Sequence, residues 1–180
     1  MRPFTSLARS SRAMGHLTSA TALHPPRPHL VDTSAKPATP RTAVAAASLH
    51  LGAAAGPPSA WWPATPAAEA ALMATASVAG VGAAKRTSEL IPLCHPLGLD
   101  GADVLVERPA PVGPGWAVRV TATVRTTQRT GVEMEALTGA TVAALTLYDM
   151  LKGAVPAAAL EVGGVRLVRK TGGKSDFARD

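Results

Sequence analysis

A cysteine and a histidine stand side by side in "IPLCHPL", Ile91 to Leu97, between two prolines in an otherwise apolar run. Three chemistries fit that arrangement: a metal site, a thiol nucleophile, or a stiff loop that holds one imidazole at a ligand. Cys94 is the only cysteine in the chain, so neither a Cys-rich zinc site nor an intramolecular disulfide is available. A second group lies in "EMEALTGATVAALTLYDMLKGAV", where Glu135, Thr138, Val142, Leu145, Asp149 and Lys152 recur three and four apart and so share one helical face. Asp149 and Lys152 are either a surface ion pair of little energetic weight or a lysine tuned by its aspartate to move protons. The tail "KTGGKSDF" sets a Gly-Gly turn between Lys170 and Lys174, which can wrap an anion with backbone amides and ammonium groups. It is not a P-loop, because no GxxxxGK[ST] run is present. Lys85 and Arg86 in "AAKRTSEL" add a basic pair at a helix end, where cations also complement the helix dipole.

The elements that must position these groups can be traced along the chain. "TAVAAASLHL", Thr42 to Leu51, is short, apolar and bounded by breakers, which fits a strand despite its alanines. "GAAAGPPSAWWPATP", Gly52 to Pro66, is a loop in which Trp61 and Trp62 pack onto the core. Residues 67 to 86 form an alanine-rich helix expected to bury Leu72, Ser77, Val78 and Val81. "DVLVER", Asp103 to Arg108, meets "WAVRVTATVR", Trp116 to Arg125, across "PAPVGPG" as a hairpin. Trp116, Val118, Val120 and Val124 lie on its buried face, and Arg119, Thr121, Thr123 and Arg125 on its polar one. A long helix follows from Glu133 to Lys152, stopped by Gly153 and Pro156, and "GGVRLVRK", Gly163 to Lys170, closes as a strand. The order β-α-β-β-α-β is that of an α+β, ferredoxin-like sandwich, an antiparallel sheet with two helices on one face. The uncovered face invites subunit packing.

Composition narrows the function classes. The chain has 180 residues, about one domain, with 47% hydrophobic residues but only three Trp, two Phe and one Tyr. That is too few aromatics for a stacking platform on single-stranded nucleic acid. Prolines, glycines and charges interrupt every apolar run short of the roughly 20 residues that span a bilayer, so a soluble protein is expected. The net charge of +6 is concentrated at the start: residues 1 to 31 hold Arg2, Arg9, Arg12 and Arg27 and no acid. Without those four, 14 basic residues face 12 acidic ones, too even a balance for a nucleic-acid-binding module. Residues 1 to 28 read as a transit peptide, implying the mitochondrial matrix, or as a basic tail on a cytoplasmic protein.

Four blocks in order, "HLVDTSAK" (29 to 36), "AAKRTSELIPLCHPL" (83 to 97), "TGVEMEALTGATVAALTLYDMLK" (130 to 152) and "KTGGKS" (170 to 175), resemble the cyclic pyranopterin monophosphate synthase family, the molybdenum cofactor biosynthesis protein C family. The resemblance covers residues 29 to 177. It implies a homohexamer, a trimer of dimers with active sites at subunit interfaces. Each site would convert 3′,8-cyclo-7,8-dihydro-GTP into cyclic pyranopterin monophosphate and pyrophosphate, a lyase step of molybdopterin synthesis. No resident cofactor or protein-bound metal is implied, and a magnesium ion accompanying the triphosphate is compatible with it. By position, the resemblance places substrate contacts on Leu93, Cys94, His95, Met134 and Glu135, and an active-site aspartate on Asp149. Glu133, Lys152 and Lys85 match polar residues lining the site, and Arg86, Lys170 and Lys174 match phosphate contacts. On this reading His95 reaches the triphosphate or the pterin, and Cys94 packs.

One departure matters. The resemblance implies a catalytic lysine in a "KGDV" segment, and aligned without gaps back from Lys85 that lysine falls on Glu69, while an arginine of the family falls on Ser77. The chain has five lysines, Lys36, Lys85, Lys152, Lys170 and Lys174. Replacing a cation by an anion near a polyphosphate is not neutral, since two unit charges 4 Å apart interact by about 4 kcal/mol at an effective dielectric of about 20. Three accounts follow: an error in the chain around Gly52 to Ala68, which the contiguity of the odd stretch favours, a substitute lysine such as Lys36, or loss of turnover. The last would leave a family member that binds the nucleotide or joins mixed hexamers. "GGKSDF" is also one glycine shorter than the family's tail.

Overall fold

The computed structural model describes residues 27–179, so the basic segment expected over residues 1 to 28 lies, but for its last two residues, outside them. The elements in chain order are β1 (Thr39–Leu51), α1 (Pro66–Ala84), α2 (Thr87–Leu90), β2 (Gly101–Val106), β3 (Ala110–Val112), β4 (Gly115–Gln128), α3 (Glu133–Leu151), β5 (Leu160–Thr171) and β6 (Phe177–Ala178). The sheet runs β2-β4-β1-β5-β6, with β3 also paired to β4. Helices α1 and α3 lie side by side on one face, α3 over β1, β4 and β5, and α1 against α3 and β2. This is the α+β, ferredoxin-like arrangement expected from the order of elements.

Strand β1 occupies the middle, pairing antiparallel with β4 along its whole length and with β5 on the other side. Its alanines are poor strand formers, but both edges are satisfied by neighbours. Ala43, Ala45, Ala47, Leu49 and Leu51 alternate toward the helices and are all but fully buried. On β4 the same alternation buries Val118, Val120, Ala122 and Val124 and leaves Arg119 and Arg125 exposed on the open face. The segment 109 to 115 is more than a turn, because Ala110–Val112 pairs with β4 despite Pro111. A proline is tolerated there because this short strand pairs on one side only. Between Ala46 and Ser48, β5 accommodates an extra residue, and Gly164 at φ 63° absorbs the bulge.

Helix α1 starts cleanly: the Thr65 hydroxyl accepts a hydrogen bond from the Ala68 amide, Pro66 takes the first turn, and Glu69 complements the dipole. Its buried stripe is Leu72, Ala76, Gly80, Ala83 and Ala84. Val78, expected inside, is 72% exposed, because contact with α3 is made along the row of small residues spaced four apart. Gly80 marks the closest approach. A Cβ there would lie 2.8 Å from the Gly139 carbonyl oxygen and 3.1 Å from both Ala143 Cβ and Val104 Cγ1. Gly80→Ala gains helix propensity of about 1 kcal/mol but meets a backbone atom that cannot rotate away, and overpacking costs about 1–3 kcal/mol. The variant is expected to be less stable than the parent, read as a lower urea midpoint with unchanged slope.

By length and composition α1 could cross a membrane, and 28% of its most apolar window is buried inside the chain. Its outer face therefore carries apolar surface, which Val78 and, on the neighbouring helix, Leu145 at 50% exposure both contribute.

Candidate functional site

The proline-bracketed loop leaves α2 at Leu90 and is pinned at both ends. The Cys94 amide donates to the Ile91 carbonyl at 3.1 Å, and the buried Thr126 hydroxyl on β4 donates to the Gly98 carbonyl at 2.6 Å. These anchors hold Leu93, Cys94 and His95 against the start of α3, where Glu133, Met134 and Glu135 form the first turn. A segment from Leu30 to Lys36, with no strand partner, crosses the opening and contributes Val31, Thr33 and Lys36. The three pieces enclose a pocket of about 370 Å³.

His95 is oriented by that segment. Its Nε2 lies 2.7 Å from the Val31 carbonyl oxygen. A carbonyl can only accept, so Nε2 carries the hydrogen and Nδ1 is left as the acceptor in the neutral ring. Burial pushes the Cys94 thiol above its ordinary range, and the Glu135 charge adds to this, so the thiol stays protonated at neutral pH and is a packing group rather than a nucleophile.

Glu135 is 4% exposed. Burial raises its carboxyl above the usual glutamate range, with the neighbouring Glu133 charge reinforcing the shift. A raised folded value means that the native chain keeps a proton which the unfolded chain has already lost. The associated stability is full below the unfolded value of about 4.3 and declines as pH rises through the folded one. Glu135→Gln should therefore match the parent in acid and exceed it in stability at neutral pH, as urea midpoints at pH 4 and pH 7.5 would reveal.

A second pocket of about 200 Å³ shares Gly131 and Glu133 with the first and is ringed by Arg41, Lys170 and Lys174. Lys170 Nζ is 3.2 Å from Glu133 Oε1, so this pair forms the partition between the two. The Gly-Gly turn lies beside this pocket. Gly172 adopts φ 86°, a Cβ on it would collide with the Pro40 carbonyl, and its amide donates to Asp176 at 3.1 Å. Arg41 was not evident from the sequence. What places it beside the tail is the pairing of Thr42 with Thr171, a register that no local pattern specifies.

The single chain does not gather every candidate. Lys85 lines a separate, largely apolar hollow with Leu97, Leu99 and Ala102, and Arg86 is exposed at the start of α2. Asp149 and Lys152 sit at the far end of α3, with Lys152 Nζ donating to Asp149 Oδ1 at 2.6 Å and the two side chains 71% and 58% exposed. The aspartate beside it holds the Lys152 ammonium above the ordinary lysine range. Sixteen residues at 1.5 Å rise put Asp149 about 24 Å from Glu133 on one straight helix.

Glu69 lies outside both pockets. Its carboxylate accepts from Arg108 Nε at 2.7 Å and Nη2 at 2.5 Å, and from Trp62 Nε1 at 2.8 Å. Those bonds, the arginine's first, hold its carboxyl below the ordinary glutamate range. Trp61 beside it is 5% exposed and donates to the Gly56 carbonyl. The stretch from Gly52 to Ala68 thus closes into the fold as a built corner, held through Trp61, Trp62 and the Glu69–Arg108 pair.

Comparison with known proteins bears on what such a pocket does. The model of the MoaC family matches residues 30–173. Cyclic pyranopterin monophosphate synthase 2 of Mycobacterium tuberculosis (strain ATCC 25618 / H37Rv) is 47% identical over 153 residues, covering 81% of each chain. Cyclic pyranopterin monophosphate synthase of Nostoc sp. (strain PCC 7120 / SAG 25.82 / UTEX 2576) is 47% identical over 153 residues, 81% of this chain and 82% of its own. Cyclic pyranopterin monophosphate synthase 1 of the same Mycobacterium tuberculosis strain is 45% identical over 157 residues, covering 83% of each.

Proposed function

The chain belongs to the MoaC family, and we infer that it is a lyase of molybdenum cofactor biosynthesis that converts 3′,8-cyclo-7,8-dihydro-GTP to cyclic pyranopterin monophosphate with release of pyrophosphate. The observation that carries the chemistry is the pair of joined pockets, one with an imidazole and a buried carboxyl, the other ringed by three cations. The reaction moves protons during ring rearrangement and then attacks the α-phosphate intramolecularly, expelling pyrophosphate. Arg41, Lys170 and Lys174 suit the triphosphate, and fixed cations stabilise the charge that develops on the leaving group. His95 Nδ1 is placed to accept a proton, and Glu135, whose carboxyl burial raises above the ordinary glutamate range, to exchange one. Among the described residues no three of His, Cys, Asp and Glu converge to hold a metal, so a magnesium ion entering with the triphosphate would rest on phosphate oxygens.

Lys152 and Asp149 cannot reach the pockets of their own chain across about 24 Å of helix. We therefore assign them to the pocket of a second copy, so that each active site is assembled from two chains. The apolar outer face of α1 and α3 and the open face of the sheet supply surfaces for that association. A homohexamer, as a trimer of dimers, accommodates both. The cation missing at Glu69 is supplied by Lys36, which lines the first pocket with His95, Glu133 and Glu135.

The second reading, a member that binds the nucleotide without turning it over or joins mixed hexamers, is favoured by one observation: the carboxylate at position 69 is tied up by Arg108 and Trp62. Turnover separates the two. Purified protein given the cyclised nucleotide should release pyrophosphate and form the pterin product, whereas binding without either product would establish the second reading.

A further inference from the structure

Arg129 lines neither pocket, yet it holds the segment that crosses the first one. Its Nη1 donates to the Ser34 carbonyl at 3.0 Å. Within the segment local turns add to this, with the Ser34 amide donating to Asp32 Oδ1 at 2.8 Å and the Lys36 amide to the Thr33 carbonyl at 3.0 Å. Val31, Thr33 and Lys36 face inward and are half-buried, while Leu30, Asp32 and Ser34 are exposed. Between Leu30 and Lys36 there is no strand pairing, so its position depends on a few point contacts. One of these is the bond from His95 Nε2 to Val31, between residues 64 apart in sequence.

We propose that residues 30 to 36 form a strap that positions the site and that Arg129 is its latch, a positioning residue acting through Val31 on His95 and through the chain direction on Lys36. The proposal rests on the proton-accepting role given above to His95. The physical basis is that one backbone carbonyl decides which imidazole nitrogen carries hydrogen, and the same short segment carries the cation. A displacement of the strap disturbs both at once. Arg129 grips the strap from its exposed side with one hydrogen bond, and its charge favours the ionised Asp32 that closes the turn, after the larger contribution of the Ser34 bonds. Groups facing His95 within the pocket are Cys94, Glu133, Glu135 and Lys36, and none of them contacts Arg129 in the bonds that hold it.

The test uses the full chain, with Arg129→Ala and Arg129→Lys. Proton-nitrogen NMR of the imidazole should show a hydrogen-bonded, slowly exchanging Hε2 on His95 in the parent. In Arg129→Ala that signal should broaden into exchange, and KM for the cyclised nucleotide should rise about tenfold, the weight of one hydrogen bond, with a smaller fall in kcat. Arg129→Lys, which can still donate to the carbonyl, should recover most of both, and Tm should be unchanged across the set because the strap pairs with no strand. An unaltered Hε2 signal and KM in Arg129→Ala would overturn the proposal, as would a common loss of Tm, kcat and affinity that lysine does not repair. If no variant or parent turns over, the functional reading fails on its own, and the imidazole signal still decides whether Arg129 latches the strap.

Discussion

Replacing Lys152 by alanine is expected to lower turnover of the cyclised nucleotide by about 10²–10⁴-fold, the range for removing a proton-transfer group, while Tm stays within error of the parent. The second half is as informative as the first. The Lys152 ammonium pairs with Asp149, both side chains are largely exposed, and exposed pairs of this kind add little to stability. A large kinetic loss without a thermal one therefore has no explanation within a single chain. It would fit the assignment of the pair to a neighbour's pocket, since sixteen residues of helix separate Asp149 from Glu133 of its own chain. A variant that kept full activity would return Asp149 and Lys152 to the status of a surface ion pair.

Lys36→Ala is expected to cost about 10²–10³-fold in kcat/KM, the scale of losing one charge-stabilising donor. If Lys36 stands in for the cation absent at position 69, then Glu69→Lys should not restore what Lys36→Ala removes. It should also harm the parent, because it faces Arg108 with a like charge and leaves the Trp62 indole N–H without its acceptor. The expected readouts are a lower Tm and no gain in turnover. A Glu69→Lys protein more active than the parent would instead mean that the native chain is an impaired member and that Lys36 plays no substituting part.

The parts of the fold legible in the sequence are those whose burial pattern is local. Strand β4 carries an alternation that places Val118, Val120 and Val124 inside from the sequence, whereas in α3 the period is evident but the buried row is Ala136, Gly139, Ala140, Ala143 and Ala144, not the stripe running from Thr138 to Asp149. Strand β1 was harder to read because its alanines favour helix, and only the pairing on both edges settles it. Strand β3 was masked by Pro111, and β6 by its two-residue length. In α1 the apolar residues pointed to Val78 as buried, whereas the helix contact is made by alanine and glycine, whose small size a hydrophobicity pattern undervalues.

The site divides in the same way. The loop from Leu93 to His95, the turn from Glu133 to Glu135 and the Gly-Gly tail were visible as segments, each with a composition that suits its task. Their convergence was not, since it depends on sheet register and on the strap. Arg41 became a site residue only through the pairing of Thr42 with Thr171. The Glu69–Arg108 bond joins residues 39 apart and could not be anticipated from either neighbourhood. The separation of Asp149 from Glu135 was implicit in helix rise.

The most direct test of a two-chain active site is to coexpress His95→Ala and Lys152→Ala chains in equal amounts and assay the mixed assembly for pyrophosphate release. Each variant alone should be nearly inactive. If every site takes His95 from one copy and Lys152 from another, random mixing places both native residues in about one quarter of the sites, and about that fraction of the parent's activity should return. A mixed assembly as inactive as its two components would contradict the account.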